Sequence, residues 1–219
     1  MKTIKGIWRF SRVICYTFVC LFQAYTRFKR VDRKEKGRML RYYPTQVLKL
    51  AGVRCSYEGN VPELLHECGL TDTPPAYMVL SNHISWLDIF SLDSQLPSRF
   101  IAKAEIAKWP VFGLIAQQIG TLFINRSSKR AILRINDDIR GALCNCEAVT
   151  IFAEGTTTFG NELLPIKANF IAPACEIGAT VQPVILSYKN KGKPTKRAAF
   201  AGDVTLFGSL WNVVTMEDA

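Results

Sequence analysis

Five short apolar runs, spaced between residues 76 and 188, constrain the fold of the chain more than any other feature. They are "AYMVLS" (76–81), "RFIAK" (99–103), "TLFIN" (121–125), "VTIFA" (149–153) and "TVQPVILSY" (180–188). Between them lie segments with the amphipathic spacing of helices, at 86–95, 110–118, 128–146 and 166–178. Strands alternating with helices predict an α/β fold, a largely parallel central sheet with helices on both faces. In such sheets ligands gather beyond the carboxyl ends of the strands. Four of the ends carry polar groups: Asn82 and His83, Lys103, Asn125 and Arg126, and Glu154 through Thr156. A chain of 219 residues is enough for one such domain.

Charge divides the chain in two. Residues 1–54 hold fourteen Lys or Arg against two acids, a net +12, while residues 55–219 hold fourteen against sixteen, a net −2. The expected organisation is a basic, membrane-associated helical arm (1–54) preceding the catalytic body (55–219). A nearly neutral body argues against nucleic acid as a partner. The seven cysteines are scattered, and Cys144 and Cys146 are one residue too close for a CxxC motif. Free thiols are expected, and with them a body at the cytoplasmic face. Two histidines and dispersed acids offer no metal-ligand set.

Within the arm, "VICYTFVCLFQA" (13–24) is uncharged and mostly apolar. Twelve helical residues reach about 18 Å, against a hydrocarbon core of about 30 Å. Extension back to Ile7 takes in Arg9 and Arg12, which would have to snorkel. Basic clusters flank the run on both sides, so a spanning helix sets one of them against the positive-inside rule. A helix dipping into one leaflet keeps both on anionic headgroups. The dipping helix is the expectation and a single span the runner-up. A cleaved leader ending near Ala24 or a plain core helix accounts less well for the dense basic run that follows. The next stretch, "RKEKGRMLRYYPTQVLKLA" (33–51), has helical spacing with Pro44 as a kink. Packing on the body and lying on a membrane surface both remain open for it.

"LSNHISWLDIF" (80–90) carries the sharpest chemical signal. His83 and Asp88 are five residues apart, which on a continuous helix turns their side chains about 140° from each other. They meet only if His83 is still in the loop and the helix starts near Ser85. A carboxylate so placed orients the imidazole, fixes its tautomer and makes it a general base. The plainer reading is a histidine satisfied in a turn, with Asp88 a surface charge. No GxSxG elbow or reactive-cysteine motif accompanies the pair, so such a base would act on a substrate hydroxyl.

"NHISWLD" resembles the NHx4D signature of the glycerolipid acyltransferase family, typified by 1-acylglycerol-3-phosphate acyltransferases. Further blocks follow in that family's order. "RFIAKAEIAKWPVFG" resembles its lysine-containing segment, "GTLFINR" its GxxFIxR motif, and "FAEGTTT" its FPEGTR motif. "LPIKANFIAPACEIGATVQPVILSY" resembles the following helix and the fourth motif around Pro183. The resemblance implies transfer of a fatty acyl group from acyl-CoA or acyl carrier protein to a lysolipid hydroxyl, with no cofactor and no acyl-enzyme. His83 would be the base and Asp88 its orienting partner. Lys103 and Arg126 would bind an anionic headgroup, and Glu154, Gly155 and Thr156 would shape the acceptor site. Backbone amides near Gly155 are candidates for an oxyanion site.

The spelling departs from the family in places. Ala153 replaces the proline before Glu154, Asn169 replaces a glycine, and Thr157 stands where an arginine is usual. A phosphate monoester prefers several cations, so losing one brings the EGT-Ser/Thr branch into view, with lyso-ornithine lipid or zwitterionic lysophospholipids as acceptors. Lysophosphatidate (1-acylglycerol-3-phosphate) stays the leading acceptor. "VTLFGSLWNVVTMEDA" reads as a helix that in this family leads into another strand, so a C-terminal strand is expected to be missing. A non-catalytic lipid-binding module and a basic tether are the competing functions. Deletion of 1–54 is expected to abolish a tether's function while leaving an enzyme active on detergent-dispersed substrate.

Overall fold

The computed structural model describes residues 2–59, 76–125 and 129–216. Five parallel strands, β1 (Tyr77–Ser81), β2 (Arg99–Lys103), β3 (Leu122–Ile124), β4 (Val149–Phe152) and β5 (Thr180–Val184), form one sheet in the order β3-β2-β4-β1-β5. Both faces are covered, which is why the strands read as apolar runs. On one face Met78, Val149 and Ile151 pack against Ile135, Ile139 and Leu143 of α5 (Lys129–Cys144) and Ala174 of α6 (Ala172–Glu176). On the other, Tyr77, Val79 and Phe100 meet Leu92 of α3 (Leu87–Asp93) and Leu96 beyond it. The remaining helices are α1 (Lys2–Gln23), α2 (Arg33–Ala51), α4 (Phe112–Gln118) and α7 (Leu206–Val214). A short antiparallel hairpin of β6 (Lys189–Asn190) and β7 (Lys193–Pro194) follows β5.

The run read as a strand over 180–188 ends at Val184. The next backbone groups are taken by a side chain: Asn82 accepts from the Leu186 N–H (2.7 Å) and donates to its carbonyl (3.0 Å). Pro183 is tolerated within β5 because β5 is an edge strand.

The arm packs on the body. Val13 of α1 and Val47, Leu48 and Ala51 of α2 share a core with Leu87 of α3 and Leu210, Val213 and Val214 of α7. Asp32 caps α2 by accepting from the Glu35 N–H (2.8 Å), and Gly52 ends it in the left-handed region at φ 78°. Pro44 lies inside a helix assigned continuously from Arg33 to Ala51, and Met39, Pro44, Val47 and Leu48 are buried. The packed reading therefore holds for α2. Arg9 does not snorkel: its Nη1 donates to the carbonyls of Val214 (3.2 Å), the last residue of α7, and Met216 (3.0 Å) just beyond it. Beyond Gln23 the chain continues as a π-helical turn, Ala24–Phe28. Among the described residues no helix is long and apolar enough to cross a membrane.

Candidate active site

β1 leaves the sheet toward α3 on one face, and β4 leads to α6 on the other. These strands are neighbours, so their connections part and open a crevice beyond their carboxyl ends. His83 and the 153–158 turn sit there.

Residues 82–86 form the loop that the spacing of His83 and Asp88 requires. The helix begins only at Leu87, and the Asp88 N–H bonds the Ser85 carbonyl (3.1 Å). His83 Nδ1 lies 2.8 Å from Asp88 Oδ2. The same oxygen accepts from the backbone N–H groups of Ile84 (2.7 Å) and Ser85 (2.9 Å), and Oδ1 accepts from the Tyr188 hydroxyl (2.6 Å). Asp88 is fully buried, and four donors offset the cost of keeping a carboxylate out of water. An ionised Asp88 can only accept, so the tautomer that satisfies the contact has its proton on Nδ1 and the lone pair on Nε2.

The rest of His83 is equally held. Its backbone N–H donates to Glu154 Oε1 (2.9 Å), and its carbonyl accepts from the Thr158 N–H (2.8 Å). Its ring stacks on Phe152, with centroids 3.9 Å apart and planes 11° from parallel. Among the described residues Nε2 has no partner, and the ring borders a cavity of about 660 Å³.

That cavity also touches Lys103, Gly155 and Thr156. Lys103, at the end of β2, is exposed and makes no ion pair among the described residues. Thr156 is exposed, while Gly155 is buried in the left-handed region at φ 76°, with its N–H given to the Phe152 carbonyl (3.0 Å). Glu154 is buried, and both its oxygens accept backbone N–H groups, from His83 (2.9 Å) and Leu164 (2.9 Å). It braces the histidine loop against the loop after β4. Thr157 donates its hydroxyl to the Phe200 carbonyl, and the Phe200 N–H bonds the Ile84 carbonyl (2.8 Å). Where an arginine is usual, a neutral side chain thus joins a third segment to the histidine loop. Arg126 lies outside the described residues. Among the described residues no cluster of His, Cys, Asp or Glu is arranged as a metal's ligands.

Away from the polar end the cavity is mainly apolar. Phe90, Phe112 and Ile115 of the body face Ala24, Phe28, Met39 and Val47 of the arm. Burial pushes the thiol of Cys20, on the cavity wall, up to about 12. The arm is therefore part of the cavity, and deletion of 1–54 does not separate an enzyme from a tether: it removes a wall of the site in either case. Tyr188 went unassigned in the sequence, since it sits at the end of an apolar run a hundred residues from Asp88 and reads as core.

A parallel α/β sheet with an oriented histidine in its crevice, bordering a mainly apolar cavity, is an arrangement that suits a substrate with a large apolar part. A family model described as Acyltransferase matches residues 55–187. The chain belongs to this acyltransferase family. It is 44% identical over 145 residues to a 1-acyl-sn-glycerol-3-phosphate acyltransferase of Neisseria gonorrhoeae, covering 66% of this chain and 56% of that one. It is 40% identical over 138 residues to a lyso-ornithine lipid O-acyltransferase of Pseudomonas aeruginosa, covering 63% and 53%. With one from Rhizobium meliloti it shares 32% over 197 residues, covering 84% and 64%. The chain thus spans roughly half to two thirds of the length of these relatives. The crystal structure of a 1-acyl-sn-glycerophosphate acyltransferase from Thermotoga maritima shares the fold, with a TM-score of 0.59 at 18% identity over 98% of this chain and 95% of that one.

Proposed function

We propose that this protein is a membrane-surface O-acyltransferase that moves a fatty acyl group from acyl-CoA or acyl carrier protein to the free hydroxyl of a lysolipid. The observation that carries this reading is the His83–Asp88 contact of 2.8 Å, with His83 bordering a mainly apolar cavity of about 660 Å³. His83 Nε2 takes the acceptor's hydroxyl proton as its oxygen attacks the thioester carbonyl. The tetrahedral adduct collapses with cleavage of the C–S bond, and the proton passes to the departing thiolate. An ester and a free thiol result. The apolar cavity holds the acyl chain and keeps water from the thioester.

Lysophosphatidate is the leading acceptor, with Lys103 and Arg126 as phosphate partners. The neutral, tethered Thr157 and the presence of Glu105 beside Lys103 on the cavity wall favour a second reading, an acceptor with a zwitterionic headgroup such as lyso-ornithine lipid. On the outside of α1, Ile4, Trp8, Phe18 and Phe22 are exposed on one stripe beside basic residues, with Tyr25 of the π-helical turn exposed beyond them, which suits a helix lying in an anionic membrane surface.

The test is a lysolipid panel offered with both donors and read by product mass. His83→Ala is expected to lower kcat by about 10²–10⁴ with folding intact. Retention of full turnover by that variant would remove the histidine from the chemistry, and binding without turnover by the parent protein would leave a lipid-binding module.

A further inference from the structure

We infer that Tyr188 is a positioning residue that sets the basicity of His83 through Asp88; this rests on the reading of His83 as the base. The two carboxylate oxygens have divided duties. Oδ2 serves His83 Nδ1 and two backbone N–H groups, and Oδ1 serves the Tyr188 hydroxyl at 2.6 Å. The loop bonds come with the fold around residues 83–88, whereas the phenol is delivered by the chain that follows β5, a hundred residues away. The Tyr188 carbonyl accepts from the Thr195 N–H (3.0 Å), which fastens the residue at the base of the β6–β7 hairpin.

The phenol is fitted to remain a donor. Burial, followed by the negative charge of Asp88, holds its proton well above the ordinary tyrosine range. A hydrogen bond to an ionised carboxylate stabilises the charge and draws it away from its other partners. Tyr188 therefore moderates the pull of Asp88 on the imidazole while fixing the carboxylate plane. Among the described residues, other titratable groups nearby include Cys55, which is exposed, lies 3.7 Å from Ser91 Oγ and acts on the phenol, Tyr57, whose hydroxyl donates to the Ser91 carbonyl (3.3 Å), Glu154 on the His83 backbone, and Asp93, Lys103 and Glu105, which border the same cavity as the imidazole.

Removing the hydroxyl has two separable effects. With Tyr188→Phe, Asp88 acts more strongly on His83, so the imidazole titrates at higher pH and the acid limb of the rate profile moves up. The loosened carboxylate also orients the ring less well, so kcat falls about tenfold with KM for both substrates little changed. A fluorinated tyrosine introduced at 188 is a stronger donor of nearly the same shape, and is expected to move the acid limb down. A purely structural tyrosine would not produce opposite shifts.

The imidazole can also be read without turnover. The chain has two histidines, so ¹³C-histidine labelling gives two titrating signals, assigned with His66→Asn. The His83 signal is expected to titrate higher in Tyr188→Phe and lower with the fluorinated residue. Unchanged His83 titrations in both proteins overturn the inference, even where His83→Ala is inactive. Should Tyr188→Phe fail to fold, the fluorinated protein decides alone. Full activity of His83→Ala is a different failure, that of the base assignment itself.

Discussion

Asp88 and Asp93 lie five residues apart on α3, about 7.5 Å along its axis, and their surroundings give them opposite characters. Asp88 receives four donors. Asp93 is 1% exposed, borders the cavity, and receives the Ser98 N–H at 3.0 Å. Burial raises its proton affinity well above the ordinary carboxylate range, and the Ser98 bond offsets this only in part. A carboxyl that binds its proton more tightly when folded favours the fold fully below the unfolded value, about 3.9, and that contribution is lost as pH rises through the folded value. Asp93→Asn keeps an acceptor for Ser98 and removes the titration. Its Tm is expected to exceed the parent's at pH 8, with the gap closing toward pH 4. Thermal scans at both pH values check this, and a gap independent of pH would contradict it. The His83–Asp88 contact was legible in sequence because five residues suffice to define a loop that joins them. Tyr188, Phe152 and the buried state of Asp93 were not, because each depends on where distant strands and helices come to rest.

At the scale of elements, the strands were the most legible part. β1 and β4, nearly buried throughout, are almost wholly apolar, and all five runs contain a strand. The 180–188 run was over-extended because no local pattern announces that Asn82 will occupy the backbone of Leu186. The arm was legible in its charge but not in its packing. The flanking arginines read alike in sequence, yet Arg9 is bound to the end of α7 while Arg12 lies over the Trp8 ring at 4.1 Å. Two outward residues of α1, Phe18 and Phe22, are 56% and 63% exposed. Replacing both by Glu is expected to weaken binding to anionic vesicles about a hundredfold, measured by co-sedimentation. Since neither side chain is buried, Tm should change little; a comparable loss of Tm would mean that the stripe serves the fold.

For the whole molecule, the cavity is a joint product of sheet, α3 and arm. Ala24, in the π-helical turn, is 4% exposed and sits on its wall. Ala24→Phe is expected to fill part of the channel and lower turnover of the longest acyl donors by about tenfold or more, with short donors little affected. Competition between donors of different length, read by product mass, checks this. Uniform loss across all lengths would indicate damage to the arm rather than a shortened channel.

Val13, Thr17 and Cys20 of α1 and Ala24 of the π-helical turn face inward, the last three on the cavity wall, while Phe18, Phe22 and Tyr25 face outward. On the proposed reading, this one helix, about 10 Å across, would stand between a membrane's hydrocarbon and an acyl chain held in the cavity, so a fatty tail would pass from one oily medium to another without meeting water.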